Sequence, residues 1–186
     1  MAEAREAETD LIGMWLFLAT EVLFFGALFF VYVTYQGLYP EAMAAGVRHT
    51  DLTLGTINTV LLVTSSLLMT IGVGWPRWMA RAFAGAGALG IAFLVIKGCE
   101  YAADFKEHLF PDAHFADGSG PEKLFFVLYF IATSVHAIHM LIGLVMIAMV
   151  IRGRLSPVMV GLYWSFVDIV WVCLYPLLYL VGRGLS

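Results

Sequence analysis

Charge is scarce in this sequence. Only 13% of its 186 residues are Asp, Glu, Lys or Arg, about half the share of an ordinary soluble domain. Positive charge does not predominate either: ten Lys and Arg stand against fourteen Asp and Glu, a formal net charge of −4. No basic stripe exists to neutralise phosphates along a duplex, so nucleic acid is excluded as a partner. Cysteine is nearly missing. The two present, Cys99 and Cys173, lie inside apolar runs and form no C-x-x-C motif, which removes a disulfide framework, a thiol-redox pair, a cysteine zinc site and covalent haem. The opening MAEAREAETD carries four acids and one Arg, unlike the basic start of a signal peptide or an Arg-rich transit peptide.

What the chain has in excess is apolar surface. Hydrophobic residues make up 61% and mean hydropathy is +0.88, more than a water-facing domain of this length can hide. A bilayer core about 30 Å thick takes about 20 helical residues to cross. Five runs between polar breaks meet that length: 11–36, 52–74, 82–105, 123–151 and 158–181. The breaks are Gly37 to Arg48, Trp75-Pro76-Arg77, the stretch KEHLFPDAHFADGSGPEK, and Arg152 to Pro157. The runs are continuously apolar rather than alternating, so helices, not barrel strands, satisfy their backbones. The fold expected is all-α: a polytopic membrane protein of five transmembrane helices, with residues 1–10 as an N-terminal segment, 11–181 as the membrane domain and 182–186 as a tail. Tyr35, Tyr39, Trp75, Trp78, Tyr101 and Tyr179 fall near proposed ends, where interfacial anchors belong.

Five spans put the termini on opposite sides. Arg5, Arg77, Arg81, Arg152 and Arg154 fall on the N-terminal side; Arg48, Lys106, Lys123 and Arg183 fall on the other. The two shortest loops are purely basic and both lie on the N-terminal side, whereas the 106–122 loop mixes Lys106 with Glu107, Asp112, Asp117 and Glu122. This places the N-terminus in the cytoplasm.

Ionisable groups within a membrane span are functional candidates, because each costs about 2.5–3.5 kcal/mol to insert. Glu21 lies about two and a half turns inside the first helix, with no cation on that helix. It is protonated, paired across helices, or solvated in a cleft, and reads either as a proton-accepting or lipid-facing carboxyl or as a structural contact. On the second helix Thr56, Thr59, Ser66 and Thr70 form a stripe expected to be a packing seam. Lys97 and Glu100, three apart near the end of the third helix, form either an intrahelical ion pair or a headgroup-seeking pair at the membrane edge, beside Tyr101. His136 and His139 lie deep in the fourth helix. Two histidines on one helix cannot clamp a haem from opposite faces, and His49, His108 and His114 lie in loops, so the bland reading is neutral imidazoles bonded between helices. Asp168 sits mid-way along the fifth helix, near Trp164 and Trp171, with no cation on its helix. Its donor is expected from a neighbour, His136 or His139 being nearest by depth. Pro176 is expected to kink that helix and free a carbonyl for a neighbour.

With these residues in view, the chain resembles the cytochrome c oxidase subunit III family of the haem-copper oxidases, in its short bacterial form lacking the first two of seven helices. MWLFLATEVLFFGALF resembles the helix with the buried Glu, LGTINTVLLVTSSLLM the Asn-Thr helix, and GCEYAADF the Glu-Tyr helix end. TSVHAIHMLIG resembles the paired-histidine helix and YWSFVDIVWVCLYPLLYL the Trp and Asp helix. The five come in the family's order. The chain departs from the pattern at Ser165, where the family commonly has His, and at Ser134, where it usually has Gly.

The resemblance implies a non-catalytic integral subunit III of a terminal oxidase that reduces O2 to water in aerobic respiration. No active site, metal or cofactor would belong to this chain. Haem and copper would sit in partner subunits, with subunit I as direct partner and subunit II and other membrane subunits alongside. The location implied is the bacterial cytoplasmic membrane, with phospholipid as a further ligand. Glu21 would be the buried family carboxyl, Lys97, Glu100 and Tyr101 an ion pair at the membrane interface, and His136, His139, Asp168 and Trp164 an interhelix polar network. The role implied is to stabilise subunit I and support proton uptake within the proton-translocating electron transport chain. Competing readings are an accessory subunit of a nitric oxide reductase, and a five-helix proton channel or transporter; the choice of electron donor, cytochrome c or quinol, lies in other subunits.

Overall fold

The computed structural model describes residues 2–110, 121–181 and 183. The expected loop positions Asp112, His114 and Asp117, and the tail apart from Arg183, lie outside the described residues. Six α-helices follow in order: α1 (Ala2–Leu38), α2 (Pro40–His49), α3 (Leu52–Gly74), α4 (Met79–Lys106), α5 (Pro121–Ile151) and α6 (Pro157–Tyr175). A 3-10 turn, Pro76–Trp78, precedes α4, and a π-helical turn, Pro176–Leu180, prolongs α6. Five segments are long and apolar enough to cross a membrane: Leu11–Leu38, Leu52–Gly74, Pro76–Lys106, Glu122–Ile151 and Pro157–Leu180. They coincide with the five expected runs.

Local chemistry sets the helix ends. The Asp51 side chain caps α3 by accepting from the backbone N–H groups of Thr53 and Leu54 at 2.8 and 3.2 Å. Pro40 and Pro157 occupy first-turn positions, where a missing N–H has no cost. Gly153, at φ +70°, stops α5: the next residue's N–H returns to the Met149 carbonyl, the 6→1 closure that needs a left-handed residue at this point.

Helices α3, α4, α5 and α6 form a four-sided bundle in which each packs on the next and α6 closes back on α3. Trp164, Trp171, Phe93 and Tyr129 fill its interior. Helix α1 lies outside, against α5 and α6, and α2 lies across the start of α5. The sequence reading treated 37–51 as a break. Ten residues of it form α2, whose Met43, Ala44, Gly46 and Val47 are buried. Past Pro176 the carbonyls of the last turn are taken up by neighbours: Tyr32 of α1 donates to the Leu177 carbonyl and Thr50 to that of Leu178; these belong to the end of the segment, not to the carbonyl one turn before the proline. The Arg183 guanidinium then ties the Val47 and Thr50 carbonyls to the end of α6.

Candidate functional site

Three polar centres lie inside the membrane-spanning region. The first joins α1 to α5. The Glu21 carboxylate is 3.1 Å from His139 Nε2, and His139 Nδ1 is 2.9 Å from the Val135 carbonyl. A carbonyl only accepts, so Nδ1 carries a proton, and a single further proton is shared between Nε2 and Glu21. The pair is an ion pair or a neutral acid on a neutral imidazole, differing only in where that proton rests. Glu21 thus meets a partner across helices, on α5. Phe25, on the same face of α1, packs edge-on against the imidazole at 5.3 Å, and Tyr163 of α6 donates to the His139 carbonyl.

The second centre sits at the end of α4. Lys97 Nζ donates to Glu100 Oε2 at 2.9 Å, to the Tyr129 hydroxyl at 2.8 Å and to the Tyr179 hydroxyl at 2.6 Å. Both phenols donate onward to Glu100 Oε1, at 2.9 and 2.6 Å. All three ammonium protons are used, and the carboxylate receives three donors. The Lys97 and Glu100 side chains are each only 4% exposed, so the headgroup-seeking alternative fails: α5 and α6 supply the polar atoms that would otherwise have been sought in water. Aromatic faces surround the ammonium, Tyr129 at 4.5 Å and Tyr179 at 5.3 Å. Tyr101 contributes its ring at 5.5 Å, while its hydroxyl turns to Thr133. Tyr179, expected as an interfacial anchor, is instead fully buried, because its hydroxyl serves this cluster.

The third centre lies between α3 and α6. Ser66 donates to Asp168 Oδ2 at 2.5 Å. One residue earlier, Ser65 accepts from Trp164 Nε1 at 2.8 Å and donates to the Ala86 carbonyl of α4. Trp171 Nε1 reaches Thr59, and Thr56 meets the Tyr175 hydroxyl at 2.7 Å. Thr56, Thr59 and Ser66 of the α3 stripe thus meet α6, whereas the Thr70 hydroxyl returns to the Ser66 carbonyl of its own helix. The expected bond from Asp168 to a histidine is not formed. His139 faces α1, and His136 packs its ring against Phe93 and Trp171, so Asp168 takes its proton donor from a serine. Trp164 and Asp168 are brought together on adjacent serines; the two histidines belong elsewhere. Ser165, one of the two departures from the family pattern, lines an apolar groove of about 610 Å³ between α1 and α6, with Trp15, Val22, Phe166 and Ile169.

Sequence reasoning did not single out Tyr129, and it did not join Tyr179, Ser65 or Ser66 to these partners. The available signal was energetic: a lysine within a span needs three acceptors, and one glutamate cannot supply them all. Among the described residues no three His, Cys, Asp or Glu side chains converge to hold a metal ion; of the two α5 histidines, His139 meets Glu21 and His136 packs its ring against Phe93 and Trp171.

No family model matches the chain. It is 32% identical over 190 residues to the heme-copper oxidase subunit I+III of Aeropyrum pernix, an alignment covering 91% of this chain and 22% of that protein. The chain therefore spans about a fifth of that fused relative. It is 28% identical to cytochrome c oxidase subunit 3 of Thermostichus vulcanus, over 92% of this chain and 87% of the relative. The cytochrome bo(3) ubiquinol oxidase subunit 3 of Pseudomonas putida is also 28% identical, over 94% of this chain and 87% of its own length. Matched along most of its length to proteins named subunit 3, and with five helices long and apolar enough to cross a membrane among the described residues, the chain belongs to the subunit III family of the haem-copper cytochrome c and quinol oxidases.

Proposed function

We propose that the chain is the non-catalytic subunit III of a bacterial haem-copper terminal oxidase, that it packs on subunit I with subunit II nearby, and that haem and copper reside in those partners. One observation carries the reading: the match runs along nearly the whole length of proteins named subunit 3. The donor chemistry supports it, since Glu21 is paired with His139, Glu100 with Lys97 and two tyrosine hydroxyls, and Asp168 with Ser66, rather than converging as a ligand set. Its work is therefore mechanical and electrostatic: the bundle offers subunit I a rigid lateral support, and the Glu21–His139 pair holds a proton between α1 and α5. The basic loops at Arg77 to Arg81 and Arg152 to Arg154 put the N-terminal side in the cytoplasm, the side from which an oxidase takes up protons. The apolar groove between α1 and α6 suits a phospholipid chain.

The test is co-purification. A tagged chain extracted from membranes in mild detergent should bring down a haem-copper subunit I, with an oxidase spectrum and oxygen uptake. Haem retained on this chain after subunit I is removed, or a preparation with no oxidase core, would refute the reading.

A further inference from the structure

Ionisable groups deep in the bundle of α3 to α6 are enclosed: the Lys97 and Glu100 side chains are each 4% exposed, and His136 and Asp168 are buried. The Glu21–His139 pair is different. Its side chains are 18% and 13% exposed, so it opens on the outer surface, in the furrow where α1 meets α5. Its carboxyl is also only half used. Glu21 Oε2 is held by His139 Nε2 at 3.1 Å, whereas Oε1 has no hydrogen-bond partner among the described residues.

Depth decides what can cover that oxygen. Glu21 stands ten residues beyond Leu11, where the span begins, which is about 15 Å along the helix and half of a hydrocarbon core about 30 Å thick. Headgroups are out of reach, and acyl chains carry no donor. A bare acceptor facing hydrocarbon is costly, and ionisable side chains within a span face protein or a water-filled cavity. Water at this point would need about two to four polar partners. The rim offers carbon instead: Phe24, one turn along α1 from Glu21, and Ile142, one turn along α5 from His139, are exposed, as is Ile138. The chemistry of the cover is fixed as well. Oε1 is a carboxylate oxygen when the shared proton rests on Nε2 and a carbonyl oxygen when it rests on Oε2, so it accepts in both states and its partner must donate.

We propose that the furrow between α1 and α5 is the seat of a membrane-spanning helix of subunit I, apolar on its contact face and carrying at mid-depth one side-chain O–H or N–H donor that bonds Glu21 Oε1. This rests on the reading of the chain as subunit III and adds the face by which it docks. Apolar helix surfaces gain little by choosing one another over lipid, whereas a donor and an acceptor that both lie in hydrocarbon have only each other. The bond therefore sets the depth and rotation at which the two subunits meet, and the apolar rim seals it.

The test is photo-cross-linking in membranes that carry the whole complex, with Glu21 left intact. Phe24→benzoylphenylalanine and Ile142→benzoylphenylalanine report on the furrow, and Val60→benzoylphenylalanine, at an exposed position on the outer side of α3, is the control. Both furrow positions should give adducts with subunit I several-fold stronger than the control, and the cross-linked peptide should carry a side-chain donor within two turns of the adduct. Adducts with lipid alone at both furrow positions, or equal yields at all three, overturn the seat while subunit I still co-purifies and the subunit III reading stands; absence of subunit I from the preparation removes both. A cross-linked stretch without any donor overturns the polar contact. Should neither furrow variant assemble, a map of the unsubstituted complex decides: a subunit I donor within hydrogen-bond distance of Oε1 supports the seat, and an acyl chain or water against Oε1 refutes it.

Discussion

Lys97→Met tests whether the cation at the end of α4 belongs to the interior. In the structure Lys97 has three acceptors within 2.9 Å and a side chain 4% exposed. Removing it leaves Glu100 charged between two phenols, with its Oε2 stripped of its donor. Breaking a buried pair from one side costs about 3–5 kcal/mol, against about 0–1 kcal/mol for an exposed one. A few kcal/mol corresponds to a drop on the order of 10 °C in a chain of this size. The assay is thermal release of the subunit from the purified oxidase, followed in a double-mutant cycle with Glu100→Gln. The cycle has a distinctive expected shape: Lys97→Met alone is severe, whereas Lys97→Met with Glu100→Gln recovers most of the loss, because a neutral pair in the same volume has no charge to desolvate. A single-variant cost below about 1 kcal/mol would mean that the ammonium reaches water after all, and the cluster would then be a surface feature.

Three further outcomes follow from the packing. Gly90→Ala places a methyl 2.7 Å from Trp164 Cη2 and 3.2 Å from Met140 Cε; overpacking of about 1–3 kcal/mol should exceed the helix gain of about 1 kcal/mol. Gly98→Ala on the same helix meets nothing within 4 Å and should show only the gain, so equal midpoints for the two variants would refute the contact. Ser66→Ala removes the donor to Asp168 Oδ2 and should cost about 1–3 kcal/mol; pairing it with Asp168→Asn should recover part of that, and no recovery would mean that the serine acts elsewhere. Glu21→Ala should leave initial oxygen reduction nearly unchanged while shortening the active lifetime of the complex, read from progress curves under continuous turnover. An immediate loss of turnover would contradict a supporting role.

The spans were legible because hydrophobic length is nearly the whole of what a bilayer demands; four runs supply it cleanly, and the third does so only with Lys97, Glu100 and Asp104 inside its far end. Helix α2 was not, because ten residues opening on Pro40 and rich in alanine look like a turn until Phe125 and Phe126 are there to cover them. Ionisable residues could be found, but their partners could not. Depth along a helix follows from counting residues, whereas the direction a side chain takes depends on which neighbour lies on that side. His139 and Asp168 sit at matching depths on adjacent helices, yet His139 faces α1, the helix that reading by adjacency leaves out. Ser65 and Ser66 show the same effect in miniature: one step of about 100° around α3 sends the first to Trp164 and the second to Asp168. Tyr179 looked like a belt aromatic because a tyrosine near a span end commonly is one; only the turn after Pro176, which brings its hydroxyl to Lys97 and Glu100, turns it inward.

The burial of the helices bears on how the proposed subunit would act on a neighbour. Half of the central window of α6 is buried within the chain but only 17% of that of α1, so α1 is the helix with the most surface left over. Its outer face, with Ile12, Trp15, Leu16, Leu23 and Phe30 exposed, is apolar and gains nothing by choosing among apolar surroundings. Polar contacts therefore set its position: Glu21 on His139 at mid-depth and Tyr32 on the Leu177 carbonyl near its far end. The bundle of α3 to α6 has its own seam of serines, threonines and tryptophans and does not need either contact to hold together. Loss of the Glu21–His139 pair should accordingly loosen α1 and leave the bundle standing, shifting the face presented to lipid or to a partner subunit. A change of that kind leaves the first turnovers intact and erodes what depends on sustained contact, which is why the lifetime of activity, rather than its initial rate, is the quantity that reports on Glu21.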